Sequence, residues 1–356
     1  MLEGPRRLEH RRFRRPEVGE DDGLIRVEAC GLCGTDHEQF TGVLPAGFAF
    51  VPGHEVIGVI EDVGSGAARR WGVKAGDRVA VEVFLACGRC APCEAGEYRH
   101  CRSHGLGDMY GYIPADRPPG LWGGYAELQY LAPDSMLHVL PPSLDPVLAT
   151  VFNPLGAGIR WAATLPGTST GDVVAVLGPG IRGLCSVAAA KQAGAGFVMV
   201  TGLGKRDADR LDLAGRFGAD LAVDVADVDP IAALKDATGG LADVVVDVTA
   251  KAPSALAQAM GVARPGGTIV IAGTRGSAET PGFWPDLIVY KELRVLGALG
   301  VDAPAYRAAI ELLASGRFPF AELPRRCAGL DGAEDLLYAM AGESGDSAPV
   351  HGVLVP

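Results

Sequence analysis

Four cysteines lie close together in the chain, in the pattern C-x2-C-x2-C-x7-C: Cys87, Cys90, Cys93 and Cys101. Cysteine thiolates are soft ligands that suit Zn2+, an ion whose filled d shell imposes no geometry of its own. Four of them close a tetrahedral shell and leave no coordination position for a substrate. The spacing therefore predicts a structural zinc lobe over residues 87–101 that holds shape and takes no part in catalysis.

Three other roles of cysteine fit this cluster less well. Disulfides form in oxidising compartments, and the N-terminal segment lacks the apolar run of a secretory signal, so we expect a cytoplasmic protein. An iron–sulfur cluster of the bacterial ferredoxin type has a shorter final gap and a Cys-Pro ending. Inert burial explains isolated cysteines such as Cys185 and Cys327, but not four cysteines in one glycine-bearing loop.

Length and composition limit the classes of protein to consider. A chain of 356 residues exceeds a single core, so two domains are expected, and 48% hydrophobic residues are enough to fill them. No apolar run approaches the ~18 residues of a membrane-spanning helix. The formal net charge is -11, and the basic stretch over residues 6–15 is interrupted and followed by glutamates, which predicts a solvated surface strand. A nucleic-acid or membrane partner is therefore not expected.

The hydrophobic pattern changes near residue 154. Before this point, short β-branched runs separated by Gly and Pro predict an irregular, partly antiparallel β domain. After it, apolar runs alternate with helical patterns, which is typical of a parallel sheet with crossover helices. The clearest of these strands are Val173–Leu177, Phe197–Thr201, Val244–Val248 and Thr268–Ala272. The last segment, with a helix near residues 305–313 and a short final strand, is expected to rejoin the first domain.

The first strand of the second region leads into a glycine-rich turn and then a helical pattern, the context in which G-x-G-x-x-G binds a dinucleotide. In this turn we expect the first glycine to make the turn, the second to let the backbone approach the pyrophosphate, and the third to let helix and strand pack closely. The phosphates would meet the helix N-terminus. The expected cofactor-binding residues are Gly178, Pro179, Gly180, Ile181 and Gly183.

The choice between NADP and NAD is made at the end of the second strand, where an acidic residue would bind the ribose 2′-hydroxyl of NAD. No carboxylate stands there before Asp207. Gly202 leaves room, and Lys205 and Arg206 have the charge to pair with a 2′-phosphate, so the sequence favours NADP(H). In the alternative, Lys205 and Arg206 are solvated loop charges, and Asp207 or Asp209 turns back toward the ribose.

A second set of metal-binding side chains lies in the first region: Cys33, His54 and Glu55. A catalytic zinc keeps three protein ligands and one open position. Cys33 stands in Gly-Leu-Cys-Gly-Thr-Asp, and His54 in Gly-His-Glu followed by the spaced glycines Gly58 and Gly64. With these segments, the cysteine lobe and the glycine-rich turn in this order, the chain resembles the zinc-dependent alcohol dehydrogenase family of the medium-chain dehydrogenases/reductases over essentially its whole length.

The resemblance implies a fold, cofactors and an assembly. The expected fold is α/β: a GroES-like, β-rich catalytic domain (residues 1–154, with the zinc lobe 87–101), a doubly wound Rossmann domain that binds NAD(P) (155–301), and a return segment (302–356) that completes the catalytic domain. Two Zn2+ per chain are expected, one catalytic and one structural. The expected partners are a small alcohol or carbonyl substrate and further copies of the chain, in a homodimer or homotetramer.

The resemblance also implies roles by position. Cys33 and His54 match ligands of the catalytic zinc, and Glu55 matches a glutamate that enters or leaves the metal shell. Thr35 matches the hydroxyl that passes the substrate proton toward the cofactor ribose. Asp36 matches a carboxylate that orients a zinc-ligating histidine. Apart from the resemblance, a Thr or Asp in a turn is usually a local cap.

Two positions depart from the family pattern. Polyol-type relatives carry Glu or Asp before the Pro-Leu step that opens the nucleotide domain, as a further ligand, where this chain has Asn153, a poor zinc ligand. Many relatives carry a relay histidine five residues after the ligand cysteine, where this chain has Glu38, with His37 one step earlier. Either side chain can move a proton. These local features resemble microbial glucose dehydrogenases of the same family and point to sugar-like or polyol substrates.

The expected activity is hydride transfer between a primary or secondary alcohol, polyol or sugar, or the matching carbonyl, and NAD(P), with zinc as the Lewis acid. Two alternatives stay open: a zinc-independent reductase of activated C=C or quinone bonds on the same fold, and a non-catalytic nucleotide-binding protein. The aromatic loop over residues 109–125 either selects the substrate or packs Trp122 onto the core.

Overall fold

The computed structural model of the chain describes residues 1–250, 252–276, 279–345 and 348–356. Two compact units are distinguished in it: the first consists of Met1–Asn153 and Asp302–Pro356, and the second of Pro154–Val301. The chain therefore leaves the first unit once and returns to it. Over the described ranges, no helix is both long and apolar enough to cross a bilayer.

The strands are short except for two in the first unit and one in the second. In chain order they are β1 (Leu2–Gly4), β2 (Arg7–Leu8), β3 (Gly23–Leu32), β4 (Glu55–Val63), β5 (Arg78–Val81), β6 (Leu128–Leu131), β7 (Leu137–Val139), β8 (Val173–Leu177), β9 (Phe197–Gly202), β10 (Leu221–Asp224), β11 (Ala242–Asp247), β12 (Ala263–Ile271), β13 (Arg294–Gly297), β14 (Arg325–Ala328) and β15 (His351–Leu354).

The helices are α1 (Gly34–Thr41), α2 (Ser65–Trp71), α3 (Ala91–Glu94), α4 (Pro146–Ala149), α5 (Phe152–Ile159), α6 (Ile181–Gln192), α7 (Ala208–Arg216), α8 (Pro230–Thr238), α9 (Ala255–Val262), α10 (Asp286–Tyr290), α11 (Ala303–Ser315) and α12 (Ala333–Ala341). Short 3-10 turns lie between some of them, and α5 continues into a π-helical turn over residues 160–164.

The first unit is built on a largely antiparallel sheet with the strand order β14-β15-β3-β4-β5-β7, and β6 pairs with β3 in addition. The central strand β3 is almost entirely buried, as its apolar sequence requires. Strand β15 of the returning segment pairs antiparallel with β3. The returning segment thus adds β15 and β14 to the sheet built on β3, and the apolar core lies against this sheet.

The second unit is a six-stranded parallel sheet with the order β10-β9-β8-β11-β12-β13. This is the doubly wound arrangement of a Rossmann fold, in which the strand order reverses between the first strand, β8, and the fourth, β11. Strand β8 is continuously apolar and nearly all buried, as a strand covered on both faces must be. A second apolar core, which includes Ala175, Met199 and Val245, fills this unit.

Local signals placed several of these elements, and others were missed. The predicted strand Val173–Leu177 is β8, and the helix expected near residues 305–313 is α11. Those missed in the second unit include β10, α8 and β13, although the Asp229 cap followed by proline is a helix-start signal for α8. The basic segment is a strand only at Arg7–Leu8, not over residues 6–15.

Candidate active site

Antiparallel pairing brings the predicted ligands of a catalytic zinc together. Cys33 follows the end of β3 and His54 precedes β4, and the two strands pair with Gly31 opposite Glu55. The Sγ atom of Cys33 lies 3.2 Å from Nε2 of His54. The ligand atoms of Cys33, His54 and Glu55 all lie within 4.8 Å of one another. Since two ligands of one tetrahedral zinc are about 3.6 Å apart, the cluster has the size that a metal ion needs.

The first turn of α1 fixes two of these side chains. Cys33 caps the helix: its sulfur accepts the N–H of Thr35 at 3.3 Å, and Asp36 Oδ2 accepts the N–H of Cys33 at 2.8 Å. Asp36 Oδ1 is buried, has no hydrogen-bond partner within the described part of the chain, and lies 3.7 Å from Nδ1 of His54. A hydrogen bond to His54 needs a shift of about half an ångström, so the orienting role of Asp36 stays a prediction.

The cluster is buried and anionic, which suits a divalent cation. Burial lowers the pKa of His54, but the negative charges of Cys33, Asp36 and Glu55 outweigh it and raise that pKa to about 10. Glu55 is only 1% exposed. It reaches the cluster because Gly31 stands opposite, where a Cβ would lie 2.5 Å from Glu55 Oε2. Gly31 was not predicted as part of the site, although a glycine within an apolar strand signals such a close approach.

Asn153 is the second residue of α5 and is buried, at 3% exposed. Its Nδ2 has no hydrogen-bond partner among the described residues. A buried amide group without a partner costs about 1–3 kcal/mol, so this side chain is expected to pair with a water or a substrate group. Because an amide is neutral, Cys33 and Glu55 are left as the anions that would balance one Zn2+.

The remaining predicted catalytic residues also lie on α1, and their roles stay predictions. Thr35 is half-buried beside the sulfur of Cys33. His37 Nε2 lies 2.9 Å from Oε1 of Glu343, a carboxylate just after α12 that also pairs with Arg6. The Nε2 atom of His37 is therefore already within hydrogen-bond distance of a carboxylate. Glu38 is half-buried.

The four cysteines of the lobe converge around the short helix α3. Their sulfur atoms are separated by 3.9 Å (Cys87 to Cys93), 3.4 Å (Cys90 to Cys93) and 4.0 Å (Cys90 to Cys101). Four sulfurs at about 2.3 Å from one zinc would be about 3.8 Å apart, so the lobe fits Zn2+. All four cysteines are free, and none of these distances is that of a disulfide. The N–H of Arg89 and other hydrogen bonds lower the pKa of Cys87 to about 6, whereas burial raises the pKa of Cys93 to about 12.

The glycine-rich turn has the shape that a dinucleotide site requires. Gly178 has a φ of 103°, a backbone conformation that favours glycine. A Cβ on Gly183 would stand 1.9 Å from the carbonyl oxygen of Gly178, so only glycine allows this close packing. A Cβ on Gly180 would meet nothing within 4 Å, which leaves the backbone beside Pro179 open to a phosphate. Helix α6 begins at Ile181 and presents its N-terminus there.

The loop after β9 turns its acidic residue inward. Asp207 is buried, and its Oδ2 accepts the N–H of Leu203 at 3.0 Å. Gly202 is packed against Asp207 and Pro179, where a Cβ would lie 3.0 Å from each side chain. Lys205 and Arg206 are exposed, and Arg206 Nε lies 3.7 Å from Asp207 Oδ1. Asp207 thus holds its own loop and leaves the two basic side chains on the surface.

Two further expectations from the sequence have clear outcomes. Trp122 is 5% exposed, donates to the carbonyl of Arg117 at 2.9 Å and packs edge-on against Tyr130, so it belongs to the core. Inert burial is correct for Cys185 in α6 but wrong for Cys327, which is exposed on β14 because that edge strand presents it to solvent.

Comparison with known proteins defines the family. Residues 19–142 match the alcohol dehydrogenase GroES-like domain, and residues 183–315 match the zinc-binding dehydrogenase family. The chain is 70% identical over 357 aligned residues to "Probable alcohol dehydrogenase adh" of Mycobacterium tuberculosis, covering 100% of this chain and 97% of the relative. It is 33% identical to the erythritol/L-threitol dehydrogenase of Mycolicibacterium smegmatis, over 86% of this chain and 84% of that protein.

A solved structure agrees with these relatives. A Sinorhizobium meliloti 1021 protein assigned as a zinc-binding dehydrogenase, crystallised with NADP, is 31% identical, with a TM-score of 0.81 over 96% of this chain and 94% of that one. The fold and sites therefore define a two-domain dehydrogenase with GroES-like and Rossmann parts. The chain belongs to the zinc-dependent alcohol dehydrogenase family, and the predicted family, fold class and oxidoreductase class are confirmed.

Proposed function

We propose that this protein oxidises a primary or secondary alcohol, a polyol or a sugar with NAD(P), or reduces the matching carbonyl. The observation that carries the proposal is the buried cluster of Cys33, His54 and Glu55. In the second unit of the same chain, the glycine-rich turn leaves space at Gly180 for a dinucleotide phosphate. An erythritol/L-threitol dehydrogenase among the relatives supports the polyol class. Residues 1–154 and 302–356 would form the catalytic domain, and residues 155–301 the cofactor domain.

The residues of the cluster and those around it would have separate roles in catalysis. Cys33, His54 and Glu55 would hold zinc, which supplies a Lewis acid that makes an alcohol proton easier to remove. The Thr35 hydroxyl would take that proton and pass it on, with His37 or Glu38 as the last proton carrier. Asn153 Nδ2, which lacks a partner among the described residues, would donate to a substrate oxygen or a water. A second zinc would bind Cys87, Cys90, Cys93 and Cys101 and hold the lobe.

We propose NADP(H) as the preferred cofactor. Support comes from the inward position of Asp207, whose carboxylate is occupied by the N–H of Leu203, and from the exposed charges of Lys205 and Arg206. Basic side chains favour binding of a 2′-phosphate, whereas a ribose 2′-hydroxyl binds best to an acidic side chain. The NADP-bound relative from Sinorhizobium meliloti agrees with this preference.

A cofactor-reduction assay tests the proposal. Zinc-loaded protein is mixed with NADP+ or NAD+ and a panel of simple alcohols, tetritols, hexitols and aldoses, and the absorbance of the reduced nicotinamide is followed. We expect turnover within one of these classes and a higher kcat/KM with NADP+ than with NAD+. Reduction of quinones or enones that survives removal of zinc would support the zinc-independent reductase instead. Cofactor binding without turnover of any substrate would support the non-catalytic alternative.

A homo-oligomer formed by the second unit is also proposed. Strand β13 is the last strand of the sheet and pairs only with β12 among the described strands. Around it lie exposed apolar side chains, including Val295 at 39%, Leu299 at 40% and Tyr290 at 68%. An open, apolar edge strand is a template for pairing, and two-fold symmetry lets two copies pair the same edge.

Sedimentation velocity tests this assembly. We expect the wild-type protein to sediment as a dimer or tetramer and Val295→Lys to sediment as a smaller species, because a lysine on an edge strand opposes pairing. Val228→Lys, which changes another exposed valine away from this edge, is the control. A monomeric wild-type protein would contradict the proposal. The cytoplasmic location stays a prediction, which cell fractionation checks.

A further inference from the structure

A buried ion pair ties together the two loops that follow β11 and β12. Arg275 Nη2 contacts the carboxylate of Asp247, whose side chain is 0% exposed, while that of Arg275 is 10% exposed. The same guanidinium donates through Nε to the carbonyl of Ala252 at 3.1 Å and through Nη1 to that of Gly273 at 3.2 Å. One side chain therefore bonds to both loops.

Thr249 completes this network. Asp247 Oδ1 accepts the N–H of Thr249 at 3.0 Å and its hydroxyl at 2.6 Å, and Arg275 Nη2 donates to the same hydroxyl oxygen at 3.1 Å. The backbone adds two bonds, from the N–H groups of Ala272 and Gly273 to the carbonyl of Asp247. We call Asp247, Thr249 and Arg275 the arginine clamp. A largely buried, hydrogen-bonded network of this kind holds its surroundings in one conformation.

The clamp lies where a doubly wound sheet binds its ligand. Asp247 is the last residue of β11, beside the point where the strand order reverses. Val248 donates to the carbonyl of Leu177 at 3.1 Å, and Thr249 Cγ2 lies 3.2 Å from where a Cβ of Gly178 would be. The clamp is thus adjacent to the glycine-rich turn. Because the first half of the sheet receives the adenosine, the loops of the second half face the nicotinamide.

We propose that the arginine clamp positions the loops after β11 and β12 for the nicotinamide half of the cofactor. This inference rests on the proposed NAD(P)-dependent function. The charge of Arg275 is already matched by Asp247 in a buried place, so Arg275 acts through the loops and is a positioning residue. The planar fork of arginine suits this geometry, and a lysine cannot reproduce it.

Binding measurements on two variants test the clamp. Arg275→Lys keeps the positive charge but lacks the planar guanidinium group with its several N–H donors. Thr249→Val removes only the hydroxyl group. Each is titrated with NADPH and with the adenosine 2′,5′-bisphosphate fragment, which lacks the nicotinamide, or with NADH and AMP if the wild-type protein prefers NADH. We expect NADPH affinity to fall about tenfold or more, because loops that are no longer held in one conformation have to be ordered when the nicotinamide binds. Affinity for the fragment should change less than about twofold, since its half of the sheet is untouched.

The matched control is Arg264→Lys. Arg264 Nε lies 2.6 Å from Asp243 Oδ1, an exposed pair near the starts of β12 and β11, the same two strands that carry the clamp at their ends. This variant should bind both ligands like the wild-type protein.

Amide hydrogen exchange without cofactor adds a second readout: in the clamp variants, the backbone amides of Thr249, Ala272 and Gly273 should exchange faster.

Three results overturn the inference. The first is NADPH affinity that is unchanged in both clamp variants. The second is an equal loss of affinity for NADPH and for the fragment, which would indicate a general effect on folding. The third is a wild-type protein that binds neither NADPH nor NADH, and this result alone would also remove the proposed function.

Discussion

The Cys33→Ser variant is expected to lose at least about a thousandfold in kcat/KM, because several kcal/mol of Lewis-acid stabilisation depend on the metal that this sulfur would bind. It is also expected to contain one zinc per chain fewer than the wild-type protein. Serine can still accept the N–H of Thr35 and cap α1, so the loss would concern the metal and not the helix. Elemental analysis gives the zinc content, and steady-state kinetics give kcat/KM.

The exposed Cys327 provides a matched control. Cys327→Ser should retain both the zinc content and the activity of the wild-type protein. If Cys33→Ser kept its activity and both zinc ions, the cluster of Cys33, His54 and Glu55 would not be the catalytic metal site. The zinc-independent reductase would then be the better description.

The zinc content of Asn153→Glu is measured alongside that of Cys33→Ser. A carboxylate in place of the neutral amide adds an anionic oxygen ligand, and carboxylates bind Zn2+ better than amides do. Two zinc ions in the wild-type protein would mean that the Cys33 cluster binds metal without this ligand. One zinc in the wild-type protein and two in the variant would mean that the cluster needs it, which would weaken the proposed mechanism.

The second large effect is expected in the cysteine lobe. Cys90→Ser removes a sulfur that lies 3.4 Å from Cys93 and 4.0 Å from Cys101 and accepts the N–H of Arg102. Structural zinc supplies folding free energy directly, about 10–16 kcal/mol in small zinc-binding peptides. If one ligand accounts for about 3 kcal/mol of this, the midpoint of thermal unfolding should fall by about 10 °C.

Calorimetry with and without a chelator measures this effect. The chelator should lower the midpoint of the wild-type protein more than that of Cys90→Ser, because the variant has already lost the metal of its lobe. Residual activity of Cys90→Ser at low temperature would separate this structural role from the catalytic cluster. An unfolding midpoint that neither the variant nor the chelator changes would contradict a stabilising zinc. Visible absorbance of the isolated protein would point to an iron–sulfur cluster.

Features formed by residues close together in the chain were predictable from the sequence. The cysteine lobe extends over 87–101, and the glycine-rich turn follows β8 directly, so ligand spacing and turn chemistry are local properties. The alternation of strands and helices after residue 154 likewise predicted the parallel sheet. These signals rest on side-chain type and on the periodicity of burial, which the order of residues contains.

Other features depend on packing between distant segments. Cys33 and His54 are 21 residues apart and meet only through the register of β3 and β4, with Gly31 admitting Glu55. Ligand chemistry suggested the set from the sequence, and the family resemblance implied the role of each residue, but neither supplied the distances. His37 contacts Glu343, which is 306 residues away, and the residues near His37 in the chain do not predict that contact.

The same limit applies to the cofactor unit. Asp207 turns inward because the N–H of Leu203 and the packing of Gly202 hold it there, and a one-dimensional pattern does not specify that direction. The clamp joins Asp247 and Arg275, which are 28 residues apart, because β11 and β12 are neighbours in the sheet. The sequence by itself determined which side chains can do the chemistry. Only the tertiary structure decided which of them meet, because long-range pairing and burial set their distances and charges.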